Sequence, residues 1–367
     1  MGRVCSLIFL MVLFKNATAQ TQDLSVTTPR LRSYTFTPDF GKIIVHTYTV
    51  RNTAGTSSLG FSLRLADQQI SQRSYDNCGC YPLNGLELHY FHFTNQLLGN
   101  GVALDYFLEP VVKISDTWQF QFRGAAGLSY LTNPDDSITN LENRNYSTHI
   151  NSFLELGTGL GYRLNSHLLL EGDVTIRHVS NGSFKHPNAG INWVSGAVSL
   201  VYSPRDNSLK TFTRHRPLEW KHRKPWVDIG LYYVPPQGYY YTWQVKRYYI
   251  AGAFAEISRQ ISPVDAVNFG LETYYNNISV LEFYDHYDHN NASFISGVMA
   301  GHAFIFGKVY FSQQLGLYLT TRPSYLPAIY QRYGLSYQFT KHFLAGVNLK
   351  THGASADFVD LRVIYRR

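Results

Sequence analysis

The stretch HLLLEGDVTIRHVS, residues 167–180, places two kinds of side chain in alternation. Successive residues of a β-strand point to opposite faces, so every second residue shares a side. One face is apolar until its last two members, and the other is mostly polar and charged. The first holds Leu168, Leu170, Gly172, Val174, Ile176, His178 and Ser180, and the second holds Leu169, Glu171, Asp173, Thr175, Arg177 and Val179. An apolar face toward lipid and a polar face toward a lumen are typical of a strand in a transmembrane β-barrel.

Alternating segments recur along the whole chain, roughly eight on each side of a basic stretch. The predicted strands of the first half are Lys42–Val50, Leu59–Asp67, Gly85–Phe93, Val102–Ile114, Trp118–Leu131, Phe153–Leu164, His167–Ser180 and Ile191–Tyr202. Those of the second half are Val227–Val234, Tyr248–Ile257, Ala266–Tyr275, Ser296–Phe306, Val309–Leu319, Ile329–Phe339, Phe343–Thr351 and Asp357–Tyr365.

The fold class that these segments predict is all-β, an antiparallel transmembrane barrel. The favoured architecture is one barrel of about 16 strands built from both halves, because a single closed sheet leaves no edge. The alternative is two consecutive eight-stranded barrels joined by the basic stretch. Counted from a periplasmic start, most turns on the periplasmic side are tight and most external loops are longer, which is the habit of outer-membrane barrels.

The first residues of the 367-residue chain predict export. Residues 1–19 combine a short basic start, an apolar run and a small-residue cleavage site, which predicts a signal peptide, with a membrane anchor as the alternative. Much of the formal charge of +7 lies in Lys210–Pro225, either a solvated linker or a contact with anionic lipid or cell wall. An exported chain is not expected to bind nucleic acid. We therefore divide it into a signal peptide (1–19), a first barrel half (20–205), a basic linker (206–225) and a second strand-rich half (226–367).

The mature chain keeps two cysteines, Cys78 and Cys80, in the sequence CGC. Two cysteines do not make a disulfide framework, and this spacing is not a strong metal motif. We expect Cys78 and Cys80 to form either a local disulfide or two idle thiols.

The strand that ends at Ser180 becomes polar on its lipid-facing side. Pairing His178 with Asn192 on the return strand centres the hairpin on Lys185, and cross-strand Cβ atoms in such a pair lie about 5 Å apart. Unpaired polar groups are costly in lipid, so three of them together need a reason. A serine next to a histidine that a third group holds is the arrangement of a hydrolase triad. The alternative is a polar girdle at the membrane interface.

The segments HVSNGS and PNAGIN resemble the H-x-S-N signature and the downstream P-N-x-G of PagL-type lipid A 3-O-deacylases. The resemblance spans about Lys42–Pro204. It implies an outer-membrane β-barrel esterase that removes the 3-position acyl chain of lipid A, without a metal or another cofactor. It also implies that Ser180 is the nucleophile, that His178 is the general base and that Asn181 helps to stabilise the oxyanion.

This sequence departs from the family pattern at Asn192, where the family has a glutamate. An asparagine carbonyl can accept a hydrogen bond from the imidazole, but it supplies no negative charge for the imidazolium. Two functions therefore stay open. The first is an outer-membrane esterase that uses Ser180 and His178 to hydrolyse a lipid A ester, with outer-leaflet lipopolysaccharide as its partner. The second is a non-catalytic barrel, a pore or structural protein, with a degenerate motif.

Two further groups of polar residues lie in the second half. Tyr284–Asn290 carries two aspartates and two histidines, which could hold a divalent ion or form a solvated loop. His352 and Asp357 are predicted at the tip of the last hairpin, and the sequence assigns them no chemistry.

Overall fold

The computed structural model describes residues 30–182, 184–215, 219–241, 244–276, 294–320, 327–353 and 355–367. Its sixteen strands form two closed antiparallel barrels of eight. The first barrel consists of β1 (Arg30–Ile43), β2 (Ser57–Gln69), β3 (Tyr81–Phe93), β4 (Asn100–Lys113), β5 (Trp118–Leu131), β6 (Ile150–Arg163), β7 (Leu168–Ser180) and β8 (Ile191–Tyr202). The second consists of β9 (Trp226–Tyr241), β10 (Gln244–Gln260), β11 (Asp265–Asn276), β12 (Phe294–Phe306), β13 (Val309–Tyr318), β14 (Ile329–Gln338), β15 (Phe343–His352) and β16 (Ser355–Arg366).

The expected single barrel of about 16 strands is wrong, and the alternative of two consecutive barrels is confirmed. β1 pairs with β8, for example at Tyr34 and Tyr202, and β9 pairs with β16 at Asp228 and Arg366. Closing each sheet after eight strands also removes every edge, and a lumen of this size is just wide enough for side chains to fill. The need to avoid free edges therefore does not distinguish the two architectures.

The first strand begins twelve residues before its predicted start. β1 is Arg30–Ile43, so only Lys42 and Ile43 of the predicted segment belong to it, and the rest forms a loop with a 3₁₀ helix at Tyr48–Thr53. The prediction followed the alternation of apolar and polar residues in KIIVHTYTV, but the strand lies earlier in the chain, where β1 alternates buried and exposed residues. The other fifteen predicted segments each fall on one strand.

Ion pairs fill the lumen of the first barrel. Three buried arginines from different strands bind inward-pointing carboxylates at 2.6–3.8 Å, and the partners are Glu87, Glu109 and Glu171 for Arg64, Glu87, Glu109 and Glu155 for Arg123, and Asp39 and Glu155 for Arg177. Large apolar side chains cover the outside. Buried charges persist only when they are paired, so this polar interior requires the closed sheet around it.

The lumen of the second barrel combines charges with aromatic rings. Arg332 is fully buried and contacts Glu272 and Asp360, each at 2.6 Å. Lys350 is also fully buried, and its ammonium lies 4.3–5.5 Å from the centres of four rings, those of Tyr274, Tyr318, Tyr330 and Phe358. Cation–π contacts of this length are favourable and stronger when water is excluded.

The end of the first barrel where β2 and β3 are connected carries the helix α1 (Gln72–Cys78) and the disulfide Cys78–Cys80, which confirms the local bond rather than two idle thiols. The basic linker packs on the same side, where Phe212 contacts the rings of Tyr75 and Tyr81. No helix among the described residues is long and apolar enough to cross a membrane.

The Tyr284–Asn290 cluster and the predicted signal peptide lie outside the described residues.

Candidate active site

The hairpin of β7 and β8 brings three predicted site residues together at the end of the first barrel where these two strands are connected. His178 and Asn192 are direct cross-strand partners, as their spacing around Lys185 predicts. Ser180 lies two residues beyond His178 on the same face, and its relative exposure is only 6%. Strand parity therefore located these side chains correctly.

A hydrogen-bonded chain joins the three side chains. Asn192 Oδ1 lies 2.5 Å from His178 Nδ1, and Ser180 Oγ lies 2.9 Å from His178 Nε2. A carbonyl oxygen can only accept, so the imidazole proton sits on Nδ1 and leaves Nε2 as a lone pair. The hydroxyl of Ser180 then donates to Nε2, which is the geometry in which a histidine can take a serine proton.

Asn181, the predicted oxyanion donor, has other partners in the structure. Its backbone N–H donates to Asn188 Oδ1 at 2.9 Å, and its side-chain amide donates to Lys185 O at 2.7 Å and Ser147 Oγ at 3.3 Å. The bonds to Asn188 and Lys185 lie within the loop between β7 and β8, and the bond to Ser147 ties this loop to the one between β5 and β6. The oxyanion role of Asn181 stays a prediction.

Three residues to which the sequence analysis assigned no role also lie around the triad. Asn188 has a buried Nδ2 without a hydrogen-bond partner among the described residues. Gly190 has φ +81°, and a Cβ there would lie 2.9 Å from His178 Cε1. His46 contacts Asn192 Nδ2 through its Nδ1 at 3.0 Å. The PNAG segment hinted at the first two, but nothing in the sequence places His46 near the hairpin.

The loop between β5 and β6 supports the site from one side. Gly190 N–H donates to Asn145 O at 2.7 Å, and Ala189 N–H donates to Arg144 O at 3.1 Å. Tyr146 is fully buried and anchors this loop by donating to Leu98 O at 2.8 Å. Burial raises the pKa of Tyr146, so its hydroxyl remains a neutral donor.

An apolar groove crosses the lipid-facing side of the same strands below the triad. Gly172 and Gly196 leave open space where a Cβ would stand, and Phe40, Leu160 and Val198 are among the residues that line it. Gly172 lies six positions before His178, which is about 20 Å along the strand. The groove can therefore hold a hydrocarbon tail, whereas the polar chemistry lies at the triad. No cluster of three metal-binding side chains occurs among the described residues.

The fold and the site define a membrane β-barrel with a serine–histidine pair at its lipid-facing rim. A family model described as lipid A 3-O-deacylase (PagL) matches residues 53–201, and one described as acyloxyacyl hydrolase, C-terminal domain, matches residues 227–367. One match falls on each barrel, and together they cover most of the chain. The chain therefore belongs to the PagL family of lipid A deacylases, hydrolases of lipid A acyl esters. This family and the barrels fit the outer membrane.

The remaining comparisons add little. No curated protein matches the chain. Solved structures that match include a multiple-site mutant of Rh. blastica porin at 9% identity and a structure described as "Asymmetric conductivity of engineered proteins" at 10%. In both, the match covers 92% of this chain and 100% of the other, with a TM-score of 0.18. At that TM-score the likeness bears on neither architecture nor function.

Proposed function

We propose that this protein is an outer-membrane esterase that removes the 3-position acyl chain of lipid A with Ser180 as its nucleophile. One observation carries the proposal. A hydrogen-bonded chain of Asn192, His178 and Ser180 lies on the outward-facing side of a barrel. We assign this end of the barrel to the outer leaflet, because most of its loops are longer than those at the other end. A membrane lipid would reach this side by lateral diffusion, without leaving the bilayer.

The reaction would proceed by acyl transfer in two halves. His178 Nε2 takes the hydroxyl proton of Ser180 while Oγ attacks the ester carbonyl. The bond to the sugar oxygen breaks, and that oxygen receives the proton from His178. Water then repeats the sequence on the acyl-enzyme, so His178 ends as it began and the free fatty acid leaves.

The oxyanion would be stabilised by a donor in the loop that follows Ser180. The amide of Asn188 fits, because its Oδ1 already accepts from the N–H next to the nucleophile while its Nδ2 has no hydrogen-bond partner in the described part of the chain. Donors aimed at the developing charge supply a large part of such catalysis. Asn181 holds this loop through its bonds to Lys185 and Ser147, and it could donate directly only if the loop rearranged.

The groove around Gly172 and Gly196 suits the hydrocarbon tails of the same lipid. Its apolar walls face outward, so an acyl chain could lie there while the ester stays at Ser180. A pore is less well supported, because buried ion pairs occupy the first lumen and caged Lys350 lies in the second.

Mass spectrometry of lipid A from cells that express the protein tests the proposal. We expect cells with the wild-type chain to lose one hydroxyacyl chain, and cells with Ser180→Ala to keep it. Ser195→Ala is the matched control, since Ser195 lies on β8 but points into the lumen. Unchanged lipid A with the wild-type chain, or equal deacylation by Ser180→Ala, would overturn the proposal.

A further inference from the structure

The third member of the triad is an amide, and an amide has two different ends. Asn192 presents Oδ1 to His178 Nδ1 in the structure. Rotation of the side-chain amide by 180° would present Nδ2 instead, and Nδ2 can only donate. His178 would then have to accept at Nδ1 and carry its proton on Nε2, where it could no longer take the proton of Ser180. A glutamate would not face this problem, because both its oxygens accept.

His46 resolves the ambiguity. Its Nε2 lies 2.9 Å from Ala189 O, and a carbonyl only accepts, so the proton of the neutral imidazole sits on Nε2. Nδ1 is then a bare acceptor, 3.0 Å from Asn192 Nδ2. Ile44 O is 3.5 Å from the same Nδ1, too far to compete. A reversed amide would bring its oxygen against this lone pair.

We infer that His46 is a positioning residue: through Asn192 it fixes the tautomer in which His178 can act as the general base. This inference rests on the proposed esterase function. Each hydrogen bond between Ala189 O and Ser180 fixes which atom carries the proton in the next bond, first in His46, then in Asn192 and then in His178. The chain thereby obtains from two residues, His46 and Asn192, the orientation that the family obtains from one glutamate.

Barrel closure brings His46 to the site. His46 and Asn192 are 146 residues apart in sequence. β1 pairs with β8 up to Ile43 and Trp193, and Ile44 N–H then donates to Asn192 O at 2.8 Å. The loop that starts there carries His46 over the end of β8. In a single sixteen-stranded barrel, β1 would not meet β8, and this contact could not form.

A mutant cycle on the full-length protein tests the inference, with fatty-acid release from purified lipid A as the assay. His46→Leu removes the acceptor, and we expect kcat to fall by up to about tenfold, the value of one net hydrogen bond, with KM little changed. In an Asn192→Asp background either carboxylate oxygen can accept, so adding His46→Leu should change kcat by less than about twofold. His46→Asp, an acceptor that cannot donate, should retain most of the wild-type rate.

Nitrogen-15 NMR of the histidines gives a readout that does not depend on activity. We expect His178, assigned by comparison with His178→Ala, to be protonated on Nδ1 in the wild-type protein and to populate the Nε2–H form in His46→Leu. An equal loss from His46→Leu in both backgrounds, or an unchanged His178 tautomer, would overturn the inference. If lipid A release did not depend on Ser180 at all, the proposed function would fail instead.

Discussion

The two barrels use their seventh strands in opposite ways. β7 in the first barrel and β15 in the second each carry, near the C-terminal end of the strand, a histidine that contacts a hydroxyl. His178 points to the lipid and contacts Ser180, whereas His352 points into the lumen and contacts Tyr318 Oη at 3.0 Å. Each histidine also has an acceptor on Nδ1, Asn192 in the first case and Asp357 in the second. Strand parity alone decides whether such a group faces a lipid substrate or the barrel interior.

The two histidines give the largest predicted contrast. We expect His178→Ala to lower lipid A deacylation by about 10³-fold or more, as loss of a triad base does. His352→Ala should leave the rate within about twofold, because its contacts stay inside the second barrel. Fatty-acid release by the purified full-length variants measures both. Equal losses would mean that the second barrel takes part in the chemistry.

The buried arginines test whether the barrels are stable independently. Arg177→Met takes away the arginine partner of Asp39 and one of the two arginines that bind Glu155. Arg332→Met likewise takes away the arginine partner of Glu272 and one of the two that bind Asp360. Each change should destabilise its own barrel by about 3–5 kcal/mol. Deacylation measured after heating should therefore be lost at a lower temperature in Arg177→Met only. The same shift in both variants would show that the barrels unfold together.

Two glycines at positive φ, one in each of the hairpins compared above, give a smaller contrast. Gly190→Ala would push a Cβ against His178, whereas Gly353 has φ +61° and no atom of the described residues within 4 Å of its Cβ position. Both substitutions carry the cost of a left-handed alanine, about 1–2 kcal/mol. Only Gly190→Ala should also lower kcat, by about ten- to a hundredfold if the imidazole is displaced by 1 Å. Initial rates on lipid A, with folding checked by heat modifiability, separate the two effects.

The smallest predicted change is a gain. Asn192→Asp gives His178 the carboxylate partner that His352 already has in Asp357, at 3.2 Å. A charge there stabilises the imidazolium that forms as Ser180 reacts, so kcat should rise by about tenfold. Steady-state kinetics on lipid A checks the direction, with Asn192→Ala as the control that removes the acceptor. A lower rate in Asn192→Asp than in wild type would contradict this assignment of roles.

Much of this architecture could be predicted from the sequence, because side chains alternate between the two faces of a strand and the apolar and polar residues here follow that period of two. The β7 pattern gave the lipid face, and the loop spacing gave the pairing of His178 with Asn192. The number of strands in each barrel was harder to predict, because an inward-pointing carboxylate or arginine gives the same sequence pattern in a barrel of eight strands as in one of sixteen. His46 could not be found, because the predicted strand Lys42–Val50 covered it and its contact with Asn192 exists only once β1 meets β8.

The roles of the loop residues were the least accessible. PNAGIN marks the loop as unusual, but only the folded loop shows that the N–H groups of Asn181 donate to Asn188, Lys185 and Ser147. The same folding leaves Nδ2 of Asn188 without a hydrogen-bond partner among the residues that the structure describes. Such choices between neighbouring amides depend on bonds to other loops, which no local pattern records.

Mapping a serine-directed adduct tests the central claim most directly. The full-length protein in lipid A-containing micelles would be treated with a long-chain fluorophosphonate, digested and sequenced by mass spectrometry. The account predicts one adduct, on Ser180, that His178→Ala abolishes and His352→Ala leaves intact. An adduct on another residue, or none in a preparation that still deacylates lipid A, would contradict it.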